Sequence, residues 1–209
     1  MPAKKPDPSP ALVDGKDAKG RRVITDAKAM RAMAHPTRLA LLELIRSEGE
    51  ITATRAAELL DDSPGNMSWH LQTLGKYGFI EEAEGAKGRS RPWKIASLTN
   101  RFRSSQDDPS SLAAGQALQM TVVERNYELM REWWSHQQSF AREWRDAAFM
   151  TDSISYVTPE EMAELGEQLT ELLTKFNERL DESLRPEGAI AVHFNAQAHP
   201  LVPKESGSA

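Results

Sequence analysis

The residues from Ser63 to Gly78 combine polar and aromatic side chains that can hydrogen-bond or pack against the edges of nucleic-acid bases. Asparagine and glutamine amides suit adenine in the major groove, and hydroxyl, imidazole and indole groups add further donors and apolar contacts. The candidates are Gly65, Asn66, Ser68, Trp69, His70, Gln72 and Thr73. Because Met67, Leu71 and Leu74 recur at i, i+4 and i+7, they predict the buried face of a helix. Asn66, Trp69, His70 and Thr73 are then expected to point outward.

A second set of candidates is basic. Lys87, Arg89 and Arg91 follow a short apolar run and are expected at the tip of a β-hairpin. Such cations suit DNA phosphates, although a basic hairpin tip can also be an ordinary solvated loop. Trp69 is open to two interpretations: it contacts a thymine methyl group or a phosphate, or it packs against the hairpin. Ser68 and His70 could instead bond only to neighbouring backbone.

Local signals define the elements that carry these side chains. Asp26 can cap a first helix. Thr52 can cap a short helix that ends before Asp61-Asp62, and Ser63 followed by Pro64 caps the next one. Gly78 is a left-handed stop after Tyr77. Two strands, residues 80–84 and 92–96, then form the hairpin, and Ile51 is expected to pair with it. A helix, a tight turn, a helix of about four turns and a basic hairpin together predict a winged helix-turn-helix; its second helix fits a major groove ~12 Å wide.

Three segments carry a resemblance to a known family: MAHPTRLALLELI, the SxHLxxLxxxG frame from Ser68 to Gly78, and the hairpin GRSRPWKI. In this order and spacing the chain resembles the ArsR-type winged-helix repressors over roughly residues 26–96. The resemblance implies a homodimer that binds palindromic operators and releases them when an effector binds. It also implies that the positions of Ser68 and His70 touch DNA. Trp69 and Asp61-Asp62 depart from the family, which usually has a smaller polar or basic residue and often glycine there.

Composition narrows the function classes. The absence of cysteine excludes thiolate nucleophiles and thiolate sensing of metals. The net charge of −5 hides an asymmetry, since residues 21–103 hold 14 Lys/Arg against 10 Asp/Glu, and residues 104–209 hold 8 against 18. Positive charge therefore accompanies the helix-turn-helix. The chain has neither an apolar run of ~18 residues nor an apolar segment after MPAKKPDPSP, so a cytoplasmic protein is expected.

The chain is expected to be mainly α: a winged helix-turn-helix domain with a small β-hairpin wing, followed by a helical C-terminal dimerisation or effector region. The predicted units are a disordered tail (1–22), the DNA-binding domain (23–97), a linker (98–111), a helical domain (112–196) and a disordered tail (197–209). Within the helical domain, one helix is predicted from Leu112 to about Ala148, and another after the capping box that starts at Thr158. The segment AIAVHF is predicted to be a strand.

The helical region contains an aromatic cluster, Trp133, Trp134, Phe140 and Trp144. It is either a dimer seam or core, or a pocket for a flat hydrophobic effector. Trp133 and Trp134 are adjacent and cannot share one helix face, so one of them is expected on a second surface.

Together these features predict a homodimeric, sequence-specific DNA-binding transcriptional regulator, a repressor by resemblance. Its expected partners are double-stranded DNA, a second copy and a hydrophobic small molecule; no cofactor, metal or membrane is expected. The alternative is a small-molecule-binding or protein-interaction module whose winged helix does not bind DNA. Catalysis is not expected, because the sequence contains no glycine-rich phosphate loop and no nucleophile elbow.

Overall fold

The computed structural model describes residues 15–17, 21–83, 91–97, 100–105 and 107–202. Helices in the first half are α1 (Ala27–Met33), α2 (Pro36–Glu48), α3 (Ala53–Leu60) and α4 (Pro64–Lys76). Strands are β1 (Arg22–Ile24), β2 (Glu50–Ile51), β3 (Ile80–Glu82), β4 (Trp93–Ile95) and β5 (Asn100–Phe102). Helices in the second half are α5 (Pro109–His136), α6 (Arg142–Ala147) and α7 (Pro159–Thr174), with 3₁₀ turns at Gln137–Ser139, Asn177–Leu180 and Glu182–Leu184.

The helix starts follow the predicted caps. The side chains of Asp26, Thr52 and Ser63 accept hydrogen bonds from backbone N–H groups in the first turns of α1, α3 and α4. His35 caps α2, because its Nδ1 accepts from the backbone N–H of Thr37 at 3.2 Å. The predicted capping box at Thr158 is also present. Each cap satisfies backbone donors that the helix itself leaves open, and this is why these sequence signals are reliable.

The wing is part of a three-stranded antiparallel sheet in the order β2-β4-β3. Ile51 pairs with Trp93 as predicted, and Ile80 pairs with Ile95. Trp93 and Ile95 pack against the core cluster. The predicted hairpin with a third short strand is therefore confirmed, and the sheet fixes the wing beside α4.

A second, parallel pair joins β1 to β5, with Arg22 opposite Asn100 and Ile24 opposite Phe102. Lys16 also forms a bridge with Arg22. The predicted linker over 98–111 is therefore wrong, since this segment contains β5 and the start of α5. The predicted N-terminal tail (1–22) is also wrong at its end, because Lys16 and Arg22 take part in strand pairing. Sequence reasoning missed this pair because two strands so short and so distant carry no local pairing signal.

One core connects the first half of the chain to α5. Its fully buried side chains include Leu41, Met67, Leu71 and Phe79. The N-terminal half of α5 packs against α1 and contributes the buried residues Ala114 and Leu118. Fully burying one such large apolar side chain stabilises the folded state by ~1.5–3 kcal/mol. The start of α5 thus belongs physically to the helix-turn-helix core.

The predicted helix to Ala148 is interrupted. After His136 the chain passes through the 3₁₀ turn, and Phe140 and Ala141 are extended before α6 begins. Ala189–Phe194, predicted as a strand, forms no strand. Both errors have one cause. An apolar pattern indicates whether a segment is helical or extended, but whether the helix continues or the strand pairs depends on residues elsewhere in the chain.

Charged side chains attach α7 to the first half. Arg21 Nη2 donates to both Glu167 carboxylate oxygens, at 2.8 and 3.0 Å, and Arg101 also bonds Glu167. Asp17 accepts from Arg21 Nε at 2.7 Å. Glu167 lies opposite the apolar stripe of α7, which remains exposed and comprises Leu165, Leu169, Leu172 and Leu173. Among the described residues, no helix is both long and apolar enough to cross a membrane.

Candidate nucleic-acid interface

Helix α4 presents its apolar side to the core and its other side to solvent. Met67, Leu71 and Leu74 are fully buried, as the i, i+4, i+7 pattern predicts. At the C-terminal end, Gly78 has a φ of +66°, and the backbone N–H of Phe79 bonds the carbonyl of Leu74 at 3.0 Å. Because a left-handed residue is easiest for glycine, the predicted helix stop is confirmed.

Four residues at i, i+4, i+7 and i+11 occupy the centre of the outward face: Gly65, Trp69, Gln72 and Lys76. The Trp69 side chain is 56% exposed although it is large and apolar. Lys76 was not among the predicted candidates. Its helical spacing from Gln72 and Trp69 is the signal that would have identified it. This face therefore offers an indole, an amide and an ammonium group next to a glycine without a side chain.

The prediction that His70 points outward is wrong. Its side chain is only 3% exposed, and its ring lies 4.6 Å from His35 and 4.7 Å from Trp69 between centroids. On the helical wheel, His70 borders the buried stripe of Met67 and Leu74, and α2 closes over it. Burial lowers the pKa of His70, and the charges of His35 and Arg38 lower it further. His70 is therefore a packing residue beneath the interface.

Arg38 of α2 joins this buried side to the exposed one. Its Nε donates to His70 Nδ1 at 3.3 Å, and its Nη1 bonds the carbonyl of Ala32. The guanidinium carbon lies 5.5 Å from the centre of the Trp69 ring, within the range of a cation–π contact. Two buried polar groups, Arg38 and His70, thus support the Trp69 indole from behind.

The remaining predicted contacts on α4 already bond within the chain. Asn66 Nδ2 donates to Asp62 Oδ2 at 2.8 Å, and Gln72 Nε2 donates to Ser68 Oγ at 3.2 Å. Thr73 Oγ1 donates to the Trp69 carbonyl at 2.8 Å. Base contacts from Asn66 would require it to leave Asp62.

The turn before α4 is acidic and exposed. Asp61 takes a left-handed φ of 51°, a conformation that aspartate adopts more readily than most other non-glycine residues. The pKa of Asp62 is lowered by its hydrogen bond from the Ser63 backbone and by Asn66. Asp62 is thus held ionised where phosphates would approach the start of α4.

The wing is described in part. Lys87 and Arg89 lie outside the described residues. Arg91 is exposed, and its Nη1 lies 2.5 Å from Glu82 Oε2 across the hairpin. The wing meets α4 through Trp93, whose ring lies so close to Gly75 that a Cβ there would stand 2.5 Å from Trp93 Cζ3. This contact sets the distance between the wing and α4.

The C-terminal aromatics separate onto two surfaces. Trp133 is half-buried and contacts Phe140, with ring centroids 5.3 Å apart. Trp134 is 51% exposed on the other side of α5, and Trp144 of α6 is half-buried. The prediction that Trp133 and Trp134 occupy different faces is confirmed; whether either face binds an effector stays a prediction.

Comparison with known proteins finds a family match within the first half. Residues 33–83 match the family described as "Helix-turn-helix domain". The matched segment contains α2, α3, α4 and β3, in which the structure shows the helix, turn and helix. Its wing follows directly in β3 and β4, so the predicted winged helix-turn-helix is confirmed. The family match ends before the tip of the wing and leaves the C-terminal helices unassigned. No curated protein matches the chain.

Two solved structures are similar to about half of the chain. One is the homodimeric winged helix-turn-helix DNA-binding domain of a possible ArsR-family transcriptional regulator from Mycobacterium bovis, at 20% identity and a TM-score of 0.32. It covers 48% of this chain and 77% of that one. The other is a transcriptional regulator homologue from Pyrococcus horikoshii OT3, at 15% identity and a TM-score of 0.29, covering 47% and 87%.

Proposed function

We propose that this protein is a sequence-specific DNA-binding transcriptional regulator. The observation that carries the proposal is the outward face of α4, where Gly65, Trp69, Gln72 and Lys76 form an exposed row along the helix. A helix with side chains is ~10–12 Å in diameter and fits the major groove of B-DNA. The exposed indole can contact a thymine methyl group, the amide can read a base edge, and the ammonium group can neutralise a phosphate.

The finer form of the proposal is a homodimeric repressor on a roughly palindromic operator. Two copies of α4 would enter successive major grooves ~34 Å apart. Repression follows from the resemblance to ArsR-type proteins.

A stripe on α5 supports the second copy. Its residues are spaced three and four apart, as in helices that pair along a seam. This α5 stripe comprises Met120, Val123, Tyr127, Met130 and Trp134. Tyr127 is 54% exposed, and the stripe lies opposite the side of α5 that carries the buried Leu118. Such a row of large apolar side chains in water favours burial against a matching surface. We infer that a second copy of the chain covers the α5 stripe, because each copy supplies the same apolar surface.

The proposal also includes a regulatory ligand, a flat hydrophobic molecule at the aromatic cluster of Trp133, Phe140 and Trp144. The contact between Trp133 and Phe140 supports it by placing aromatic surface between α5 and α6. Quenching of tryptophan fluorescence by metabolite extracts tests this part independently of DNA.

Selection of bound fragments from a genomic library, followed by gel shifts in rising salt, tests the main proposal. A regulator should select a common sequence and bind it more tightly than mixed-sequence DNA, and its affinity should fall steeply with salt. Absence of binding at every salt concentration would favour the protein-interaction alternative. Binding without any sequence preference would contradict the proposal that the protein is sequence-specific.

A further inference from the structure

Arg38 is a buried cation without a carboxylate partner among the described residues. Only 8% of the residue is exposed, and the groups around it are the neutral acceptors His70 and the Ala32 carbonyl, the face of Trp69 and the phenol of Tyr77. Arginine stays charged in proteins, and a buried charge is stabilised only when an opposite charge or several hydrogen bonds surround it. The site around Arg38 is therefore electrostatically incomplete, which points to an anion from outside the chain.

An open groove leads to this cation between α1 and α4. Its volume is roughly 280 Å³, and it is lined by Lys28, Arg31, Ala32, Arg38, Thr73 and Tyr77. Three of these six residues are cations and none is a carboxylate. Arg31 is held in place by hydrogen bonds from Nη2 to the backbone and side-chain oxygens of Ser110. Lys28 is exposed at the surface of α1.

The groove runs along the edge of the helix that we propose enters DNA. Thr73 and Tyr77 follow Trp69 by one and two turns, so the outward face and the groove lie side by side. A helix of ~10–12 Å diameter nearly fills a major groove ~12 Å wide, which brings the two sugar-phosphate strands against its flanks. A phosphate on the α1 side of α4 would meet the groove.

We propose that the groove between α1 and α4 binds a phosphodiester group of the DNA backbone, with Lys28 and Arg31 at its rim and Arg38 at its base. This inference rests on the proposed DNA-binding function and adds a contact that neither the second helix nor the wing supplies. The planar guanidinium of Arg38 matches phosphate oxygens in shape as well as charge. Because Arg38 also contacts Trp69, phosphate capture and the orientation of the indole are linked.

The test uses the full-length chain and a mixed-sequence DNA duplex. The variant Lys28→Gln with Arg31→Gln removes two rim charges and keeps both side chains polar. The matched control, Arg142→Gln with Arg145→Gln, removes the same charge from the exposed helix α6. Binding is followed by fluorescence anisotropy over a series of NaCl concentrations. We expect the rim variant to bind more weakly and to flatten the plot of log affinity against log salt by about 1–2 units, because each lost phosphate contact removes about 0.9. The control should keep the wild-type slope.

A second variant addresses the base of the groove. Arg38→Gln should weaken duplex binding further, provided that circular dichroism shows native helix content; if it does not fold, the rim variant alone decides. A rim variant that keeps the wild-type affinity and salt slope would overturn the proposed phosphate-binding groove, but not the proposed DNA-binding function. A wild-type chain that binds no duplex at any salt concentration overturns both.

A free phosphate-bearing molecule offers the same oxyanion, and sodium pyrophosphate distinguishes the two sources. Calorimetric binding of pyrophosphate to the wild type that is lost in the rim variant, combined with unchanged duplex binding by that variant, would mean that the groove serves a small ligand. That result would overturn the DNA assignment. Competition between pyrophosphate and duplex in the wild type, absent in the rim variant, would support it.

Discussion

The side chain of Arg38 in α2 donates from Nε to Nδ1 of His70 in α4, at 3.3 Å. The guanidinium cannot accept a hydrogen bond, so Nδ1 of His70 must be the unprotonated nitrogen of a neutral imidazole. The contact therefore depends on the protonation state of His70. It also joins α2 to the buried side of the helix whose outer side carries Trp69.

The first prediction is that folded stability declines in mild acid. Burial and nearby positive charge lower the pKa of His70, and burial followed by Arg38 lowers that of His35. Below about pH 6.5 the unfolded chain binds protons that the folded chain does not, so the free energy of unfolding should fall as pH decreases through this range. Above about pH 6.5, both histidines are neutral in the folded and the unfolded chain, so they do not make the free energy of unfolding depend on pH. Urea unfolding followed by far-UV circular dichroism at a series of pH values measures the effect.

His70→Gln supplies the control for that experiment, because its amide oxygen can still accept from Arg38 but cannot titrate. Its stability should depend less on pH than that of the wild type. Equal pH dependence in the two proteins would assign the effect to other groups. The carboxyl of Asp62, whose pKa is lowered, contributes stability that is lost only at more acidic pH, below about 3.9.

The second prediction concerns sequence discrimination. Trp69→Ala should weaken binding to the selected operator by ~1–3 kcal/mol and leave mixed-sequence DNA nearly unaffected, because apolar base contacts carry sequence information. Asn66→Ala should change discrimination less, since Asn66 is bonded to Asp62 in the free protein. Competition gel shifts with operator and mixed duplexes compare the variants. An equal loss on both duplexes would instead mean that Trp69 contacts the sugar-phosphate backbone.

The third prediction tests the contact between α4 and the wing. Gly75→Ala should destabilise the domain by ~1–3 kcal/mol, because the new Cβ would lie 2.5 Å from Cζ3 and 2.9 Å from Cη2 of the Trp93 ring. Gly65→Ala on the same helix is the matched control, since no atom lies within 4 Å of its Cβ position. It should be at least as stable as the wild type, because alanine favours helix. Urea midpoints rank the proteins; similar midpoints for the two variants would contradict close packing at Gly75.

The fourth prediction concerns the proposed homodimer. Tyr127→Glu places a charge in the centre of the α5 stripe and should convert dimers to monomers, because burying a carboxylate among apolar side chains is unfavourable. Ser135→Glu adds the same charge to α5 outside the stripe and should leave the dimer intact. Light scattering after size-exclusion chromatography gives the mass of each. A dimer that survives Tyr127→Glu would place the interface elsewhere.

The helices of the first half, and the start of the last helix, were predictable from the sequence. Caps at Asp26, Thr52, Ser63 and Thr158 and the left-handed Gly78 act within a few residues, so local chemistry is enough to identify them. The pairing of Ile51 with the wing was also predictable, since it follows from the helix-turn-helix arrangement.

Which residues lie on the buried face and which on the outward face of α4 could be predicted only in part. The sequence identified Trp69 as an outward residue and Met67, Leu71 and Leu74 as the core side. It placed His70 wrongly, because a residue at the border of a helix face is buried or exposed according to what packs there. Here Arg38 and His35 of another segment cover it.

By itself, then, the sequence determined where the helices of the first half begin and end and which domain they form, since hydrogen-bonded caps and apolar periodicity are local. Only the tertiary structure decided that β1 pairs with β5 and that α5 joins the core at Leu118 while Tyr127 faces solvent. It also placed Arg38 in the lining of a basic groove. These relationships join residues far apart in the chain. Their free energy comes from burial and pairing between surfaces, which local residue patterns do not specify.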